Sequence, residues 1–271
     1  MAARTEVLEE LRRRVRRLEG IAGEGGRVLP LGPALDAALP EGGLPLGCLH
    51  EIGAGASAGD DPWGGAATGF AAALAGRVAA EHGPVLWLPS PARRRHGPAP
   101  GALDPGSFEG AEPYGPGLAA WGLAPERLLV VRAATGAELL WALEEALRCR
   151  GLGAALAEVE EIDPTSARRL QLAAEAGGVT AFLLRPGSPP SGHRRAPAAA
   201  AVTRWAVTPV PGRAEGSRPG LGAPLWRLDL LRCRGGRPGA WIAEWRGDAL
   251  HAAPLPPDEA SGPAALPARS A

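Results

Sequence analysis

Apolar positions along the chain follow two rhythms. Between residues 85 and 184, short apolar runs alternate with stripes of helical spacing: a strand over 85–88, a strand over 127–131, a helix over 136–149, a strand over 154–159, a helix over 164–176 and a strand over 179–184. Strands that read as unbroken apolar runs, alternating with amphipathic helices, predict an α/β fold with a parallel sheet covered by helices on both faces. Upstream, 31–39 suits a short helix and 40–47 a turn. These feed a strand over 48–52, a glycine-rich loop over 53–65 and an Ala-rich helix over 66–81. Beyond 200 the helices stop. Strands over 201–208, 225–233 and 240–246 are expected as antiparallel C-terminal additions to one edge of the sheet. By the period of two, Trp241 and Trp245 share one strand face, away from Ile242.

The ends read differently. Residues 5–19 predict an N-terminal helix with Thr5 as N-cap, acidic residues in the first turns, arginines toward the far end and Gly20 as the stop. Leu8, Leu11, Val15 and Leu18 form a narrow apolar stripe, too short for a coiled coil by itself, so the helix must dock on its own domain or on a neighbour. Residues 89–117 and 186–200 are Pro/Gly/Arg-rich or Pro/Ala/Gly-rich excursions. From Pro254 onward Pro and Ala dominate without periodicity. The organisation expected is an N-terminal helix within 1–20, a core over 28–252 and a disordered, dispensable tail over 253–271.

Composition narrows the chemistry. The chain has 271 residues and zero formal net charge, which gives no global pull toward nucleic acid or acidic membranes. All 29 basic residues are arginine; there is no lysine and no asparagine. Any mechanism that needs a lysine is excluded. Cys48, Cys149 and Cys233 lie far apart without metal-ligand spacing, as expected for thiols in a reducing cytoplasm. Five scattered histidines give no metal or acid–base motif, and His50, within the strand before the glycine loop, reads as structural. No apolar run reaches membrane-span length. The N-terminus is charged from Arg4 and Glu6, so no secretory signal, no membrane association and no cofactor are expected.

The glycine loop is where such a fold would cradle phosphate. That motif, G-x-x-x-x-G-K-[ST], uses glycines to let backbone N–H groups converge, a lysine to reach the outer phosphates and a hydroxyl to hold Mg²⁺. Gly53, Gly55, Gly59, Gly64, Gly65 and Gly69 offer several registers, and none supplies the lysine. Gly59 to Gly64 has the glycine spacing but continues with Gly65 and Ala66, while Gly64 to Gly69 continues with Phe70 and Ala71. Asp60 and Asp61 add negative charge where a triphosphate would sit. The loop reads as a degenerate phosphate loop, and the chain as a non-enzyme.

The run from Leu31-Gly32 through Leu39, then Gly42-Gly43-Leu44-Pro45-Leu46-Gly47 and Leu49-His50-Glu51-Ile52, resembles the segment that leads into the phosphate loop of RecA-type recombinases. The resemblance spans roughly residues 28–250 and is strongest over 31–52. Within that superfamily, GGLPLGCLHEI, the loop reaching GGAATGFAAALAGRVA, the GPVLWL strand and the run from Trp226 to Gly239 with Trp241 resemble the ImuA proteins of bacterial mutagenesis cassettes. That resemblance implies a RecA-like sheet and damage-induced expression. It also implies partnership with an ImuB-type Y-family polymerase relative, an error-prone replicative-type polymerase and RecA, with an indirect association with DNA through such partners. Against the RecA pattern, Pro89 and Ser90 stand where the water-activating glutamate should follow its strand. Leu184-Arg185-Pro186 replaces the polar sensor, and Glu158 alone keeps a suitable type at the Mg²⁺-ligand position. A SulA-like inhibitor of cell division is a competing reading, set against by the Arg/Trp-rich C-terminal segment. A divergent nucleotide-dependent enzyme is another, set against by the missing lysine.

Arginine clusters are the remaining candidates for partner contact. Arg93, Arg94 and Arg95 follow the strand at 85–88, where they would meet DNA phosphates or an acidic partner, or simply water. Arg194 and Arg195 fall where recombinases carry a DNA-binding loop, without neighbouring aromatics to stack bases. Arg232, at the end of the strand over 225–233, and Arg234 and Arg237 just beyond it complete a partner-binding set with the Leu8, Leu11, Val15, Leu18 stripe.

Overall fold

The alternating runs assemble into one nine-stranded sheet. The computed structural model describes residues 26–55, 64–91, 113–185, 200–211, 222–247 and 249–255. The strands in chain order are β1 (Val28–Leu29), β2 (Leu44–Pro45), β3 (Leu49–Ala54), β4 (Val85–Leu88), β5 (Leu128–Val130), β6 (Ala154–Glu158), β7 (Thr180–Arg185), β8 (Thr203–Val210), β9 (Leu225–Cys233), β10 (Gly239–Arg246) and β11 (Ala249–Pro254). The described α-helices are α1 (Pro33–Asp36), α2 (Gly65–His82), α3 (Gly115–Ala119), α4 (Gly136–Arg148) and α5 (Pro164–Gly177). The large sheet runs β11-β10-β9-β8-β3-β7-β6-β4-β5, and β1 and β2 form a separate antiparallel pair.

From β8 to β5 every pairing is parallel; from β8 through β11 every pairing is antiparallel. The first of the three C-terminal strands expected as antiparallel additions therefore lies parallel to β3 on one side and antiparallel to β9 on the other. A fourth strand, β11, was not foreseen and carries the sheet to Pro254, two residues into the stretch assigned to the tail. The N-terminal helix with Leu8, Leu11, Val15 and Leu18, the arginines Arg93, Arg94 and Arg95, the pair Arg194 and Arg195, Gly59, and the tail beyond residue 255 lie outside the described residues.

Alternation along each strand divides the core in two. Val85, Trp87, Leu156, Phe182, Leu184, Trp205 and Val207 face α2. Leu88, Ala155, Ala157, Ala181 and Leu183 face α4 and α5. The two sides use different helices. α4 and α5 are amphipathic, started by side-chain caps: Thr135 accepts from the Glu138 N–H, and Asp163 accepts from the Thr165 and Ser166 N–H groups. α2 is apolar nearly all round, and most of its residues are buried.

Small residues let α2 sink into its surroundings. A Cβ on Gly69 would lie 3.2 Å from the Trp121 ring, and one on Gly76 only 2.5 Å from the Trp121 carbonyl oxygen. Phe70 bridges Trp205 (5.7 Å between ring centroids) and Trp226 (5.9 Å), and Trp226 stacks on Trp121 at 5.3 Å. Trp121 continues to Trp245 and Trp205 to Trp241, giving an aromatic layer that couples α2 to the antiparallel half of the sheet. The 31–46 segment is a clasp on that layer. The Asp36 carboxylate accepts the Leu31 and Gly32 N–H groups, the Trp241 indole donates to the Ala34 carbonyl at 3.1 Å, and Leu31, Leu35, Leu39, Leu44 and Leu46 are buried.

Candidate functional site

In an open parallel sheet, ligands gather at the carboxyl ends of the strands, where loops and helix N-termini converge. β3 delivers the glycine loop to that edge. Its first half does not curl back over the helix that follows: the Gly55 N–H donates to the Val207 carbonyl at 2.8 Å, and a Cβ on Gly55 would fall 1.8 Å from the Thr208 hydroxyl oxygen. Gly53 pairs in register with Ala206 and Arg185. On the far side of the loop, Gly64 adopts a left-handed conformation (φ 67°), its carbonyl accepting from the Thr68 N–H and hydroxyl. Gly65 opens α2 and Gly69 lies one turn in, against the tryptophan rings. Gly55, Gly64 and Gly69 thus serve close backbone approach and a tight turn, and the Gly55 donor is held by β8.

Beside the loop lies a buried ionic cluster. Glu51 on β3 meets Arg185 of β7 (3.6 Å) and Arg204 of β8 (3.2 Å). Arg185, the residue at the sensor position, is 5% exposed and tied to this carboxylate. Two guanidinium groups on one carboxylate stitch three adjacent strands together.

Glu158, at the end of β6, is drawn into the fold. It is 3% exposed and accepts from the Ser90 N–H at 3.1 Å and the Trp87 indole at 3.4 Å. The carboxylate thus holds the backbone just beyond β4, and Ser90 is itself buried.

His50 is structural, as expected. Its Nε2–H donates to the Pro45 carbonyl at 2.8 Å, which leaves Nδ1 to accept from the Thr203 hydroxyl at 2.7 Å, and the Trp205 indole in turn donates to that hydroxyl. Burial lowers its pKa to about 4, so the ring is neutral. Burial likewise pushes the Cys48 thiol well above its ordinary range and that of Cys233 to about 11, which leaves neither as a nucleophile. Among the described residues no His/Cys/Asp/Glu group has metal-binding geometry, and no described helix is long and apolar enough to cross a membrane.

The C-terminal arginines lie at the other end of the strands. Arg232, Arg234 and Arg237 flank the turn between β9 and β10, beside the start of β8. The Arg234 side chain donates to the Ala200 carbonyl at 3.3 Å, and the Arg237 backbone N–H donates to the Ala38 carbonyl. They form no common patch with the glycine loop. The feature that the sequence reading passed over is Trp141, on α4, which is 65% exposed. Its signal was available: the apolar stripe of this helix is Leu139, Leu143, Ala146 and Leu147, and Trp141 stands off it.

No family model matches the chain. It is similar to Protein ImuA of Caulobacter vibrioides strain NA1000 / CB15N, with 39% identity over 211 residues, covering 74% of this chain and 76% of the relative. The same figures hold for Protein ImuA of Caulobacter vibrioides strain ATCC 19089.

Proposed function

The chain belongs to the ImuA family, and from that premise we propose that it is a non-catalytic, RecA-like accessory protein of damage-induced translesion DNA synthesis. In this reading it works in the cytoplasm by holding partners: an ImuB-type Y-family polymerase relative, RecA, or both, alongside an error-prone replicative-type polymerase, with DNA associated through them. The partner contacts are assigned to the Leu8, Leu11, Val15, Leu18 stripe and to the arginine clusters at 93–95 and 232–237.

The state of the glycine loop carries the non-catalytic part of this proposal. The chain has no lysine to reach a γ-phosphate, Gly55 is bonded to β8, and Arg185 is engaged by Glu51. Without a lysine the loop has no such point charge for phosphoryl transfer, and at least one of its backbone donors is engaged by β8. Purified protein is expected to hydrolyse no ATP above a mock preparation, with or without single-stranded DNA. Turnover that disappears on substitution within residues 53–69 would overturn the non-catalytic assignment. In cells, deleting the gene is expected to abolish damage-induced mutation; unchanged mutation frequency would overturn the accessory role.

A further inference from the structure

A groove of about 740 Å³ opens at the carboxyl end of β6, between the first turns of α4 and α5, on the side of the sheet opposite α2. Its apolar wall comes from α4, where Leu140 and Trp141 line it, and its floor is the buried Glu158. A second carboxylate, Glu144, is already neutralised by Arg148 and Arg169, each at 2.5 Å. Asp163 on the rim is occupied in capping α5. That leaves Glu160 and Glu161, two exposed carboxylates on the segment from β6 to α5, which meet no cation among the described residues.

The combination selects for one kind of occupant. Phosphates and nucleotides are repelled by the unneutralised carboxylates. A cation is attracted, and an indole face beside it favours a guanidinium or ammonium carried on an apolar stem. The volume suits a few side chains of a polypeptide. We propose that this groove docks a basic segment of a partner protein. An arginine or lysine of that segment lies over Trp141, its charge faces Glu160 and Glu161, and a neighbouring apolar side chain seats against Leu140. The inference rests on the accessory role for taking a polypeptide, rather than a small cation, as the occupant.

The test uses the full chain and two labelled 15-residue helical peptides. One carries leucines at helical spacing with arginines elsewhere; the other has glutamates in place of the arginines. The arginine peptide is expected to bind one-to-one, with affinity falling as salt rises. Binding should weaken roughly tenfold in Trp141→Ala and in the Glu160→Gln/Glu161→Gln pair, while the glutamate peptide does not bind. Equal affinity for wild type and both variants, or equal binding of the two peptides, overturns the proposal. A photo-crosslinking residue at position 141 fixes the occupant: a cross-link to the chain's own residues 5–19 overturns the partner assignment, and one to an arginine- or lysine-bearing segment of a co-purified translesion partner supports it. In cells the failures separate. Loss of damage-induced mutation on gene deletion, with full retention in the Trp141→Ala/Glu160→Gln/Glu161→Gln variant, overturns the groove and leaves the accessory role standing.

Discussion

Two flanks of the same strand edge have opposite chemistry. Around α2, glycines and alanines draw backbone and indole rings together, and the loop donor at Gly55 is bonded to β8. Around α4 and α5, the helices start with ordinary side-chain caps, and an indole and two carboxylates remain turned to water. A strand–loop–helix junction is therefore not enough to make a site. What decides is how many polar and aromatic groups the fold leaves unengaged there, and among the described residues the flank around α2 leaves fewer.

The comparison breaks first, if it breaks, at the aromatic layer. Replacing Trp226 with Ala removes the ring that touches both Phe70 and Trp121. It is expected to cost about 3–5 kcal/mol in chemical denaturation, the range for large aromatics deleted from packed cores. A loss under about 1 kcal/mol would mean that α2 is not held by this layer.

A pH titration sharpens the same side. The His50 value of about 4 in the fold lies below the ordinary 6.5. The unfolded chain therefore binds the proton more readily between those values. Stability from this group is complete above pH 6.5 and is lost as the pH falls toward 4, on the order of 3 kcal/mol in all. Since carboxylates titrate in part of that window, the measurement is the difference between wild type and His50→Gln across it. Parallel curves would show that the ring is not buried neutral between Pro45 and Thr203.

The smallest effect is expected on the open flank. Trp141→Ala should change stability by no more than about 0.5 kcal/mol, because the indole is mostly in water. A cost of 2 kcal/mol or more would place the ring in the core and erase the contrast between the flanks.

Much of this architecture was legible before any coordinates. Continuous apolar runs such as Val85–Leu88 and Ala181–Leu184 are what two-sided burial demands, and the amphipathic stripes of Gly136–Arg148 and Pro164–Gly177 mark helices with one wet face. β11 escaped because Ala-Leu-His-Ala-Ala-Pro offers neither β-branched side chains nor a clean alternation, as edge strands often do not. The parallel pairing of β8 escaped because strand direction is a property of its neighbours and not of its own pattern. Near the glycine loop, sequence alone showed that the lysine was missing. It did not show that Gly69 serves the tryptophan rings, since that contact joins α2 to segments around residues 121 and 226. The burial of Glu158 has the same origin: its donors sit on β4 and just beyond, about 70 positions earlier in the chain.

The placement of β3 also has a consequence in time. Both of its neighbours in the sheet, β7 and β8, come late in the chain, beginning at Thr180 and Thr203. On a translating ribosome, β3 emerges with neither partner yet made. At ordinary elongation rates the wait is roughly 10–30 s, long compared with hydrophobic collapse. During that interval the nascent chain carries a strand destined for burial with two open edges, Leu49–Ala54, followed by a helix that is apolar nearly all round. The central strand of the finished sheet is thus the segment longest exposed to chaperones and to misassembly during synthesis.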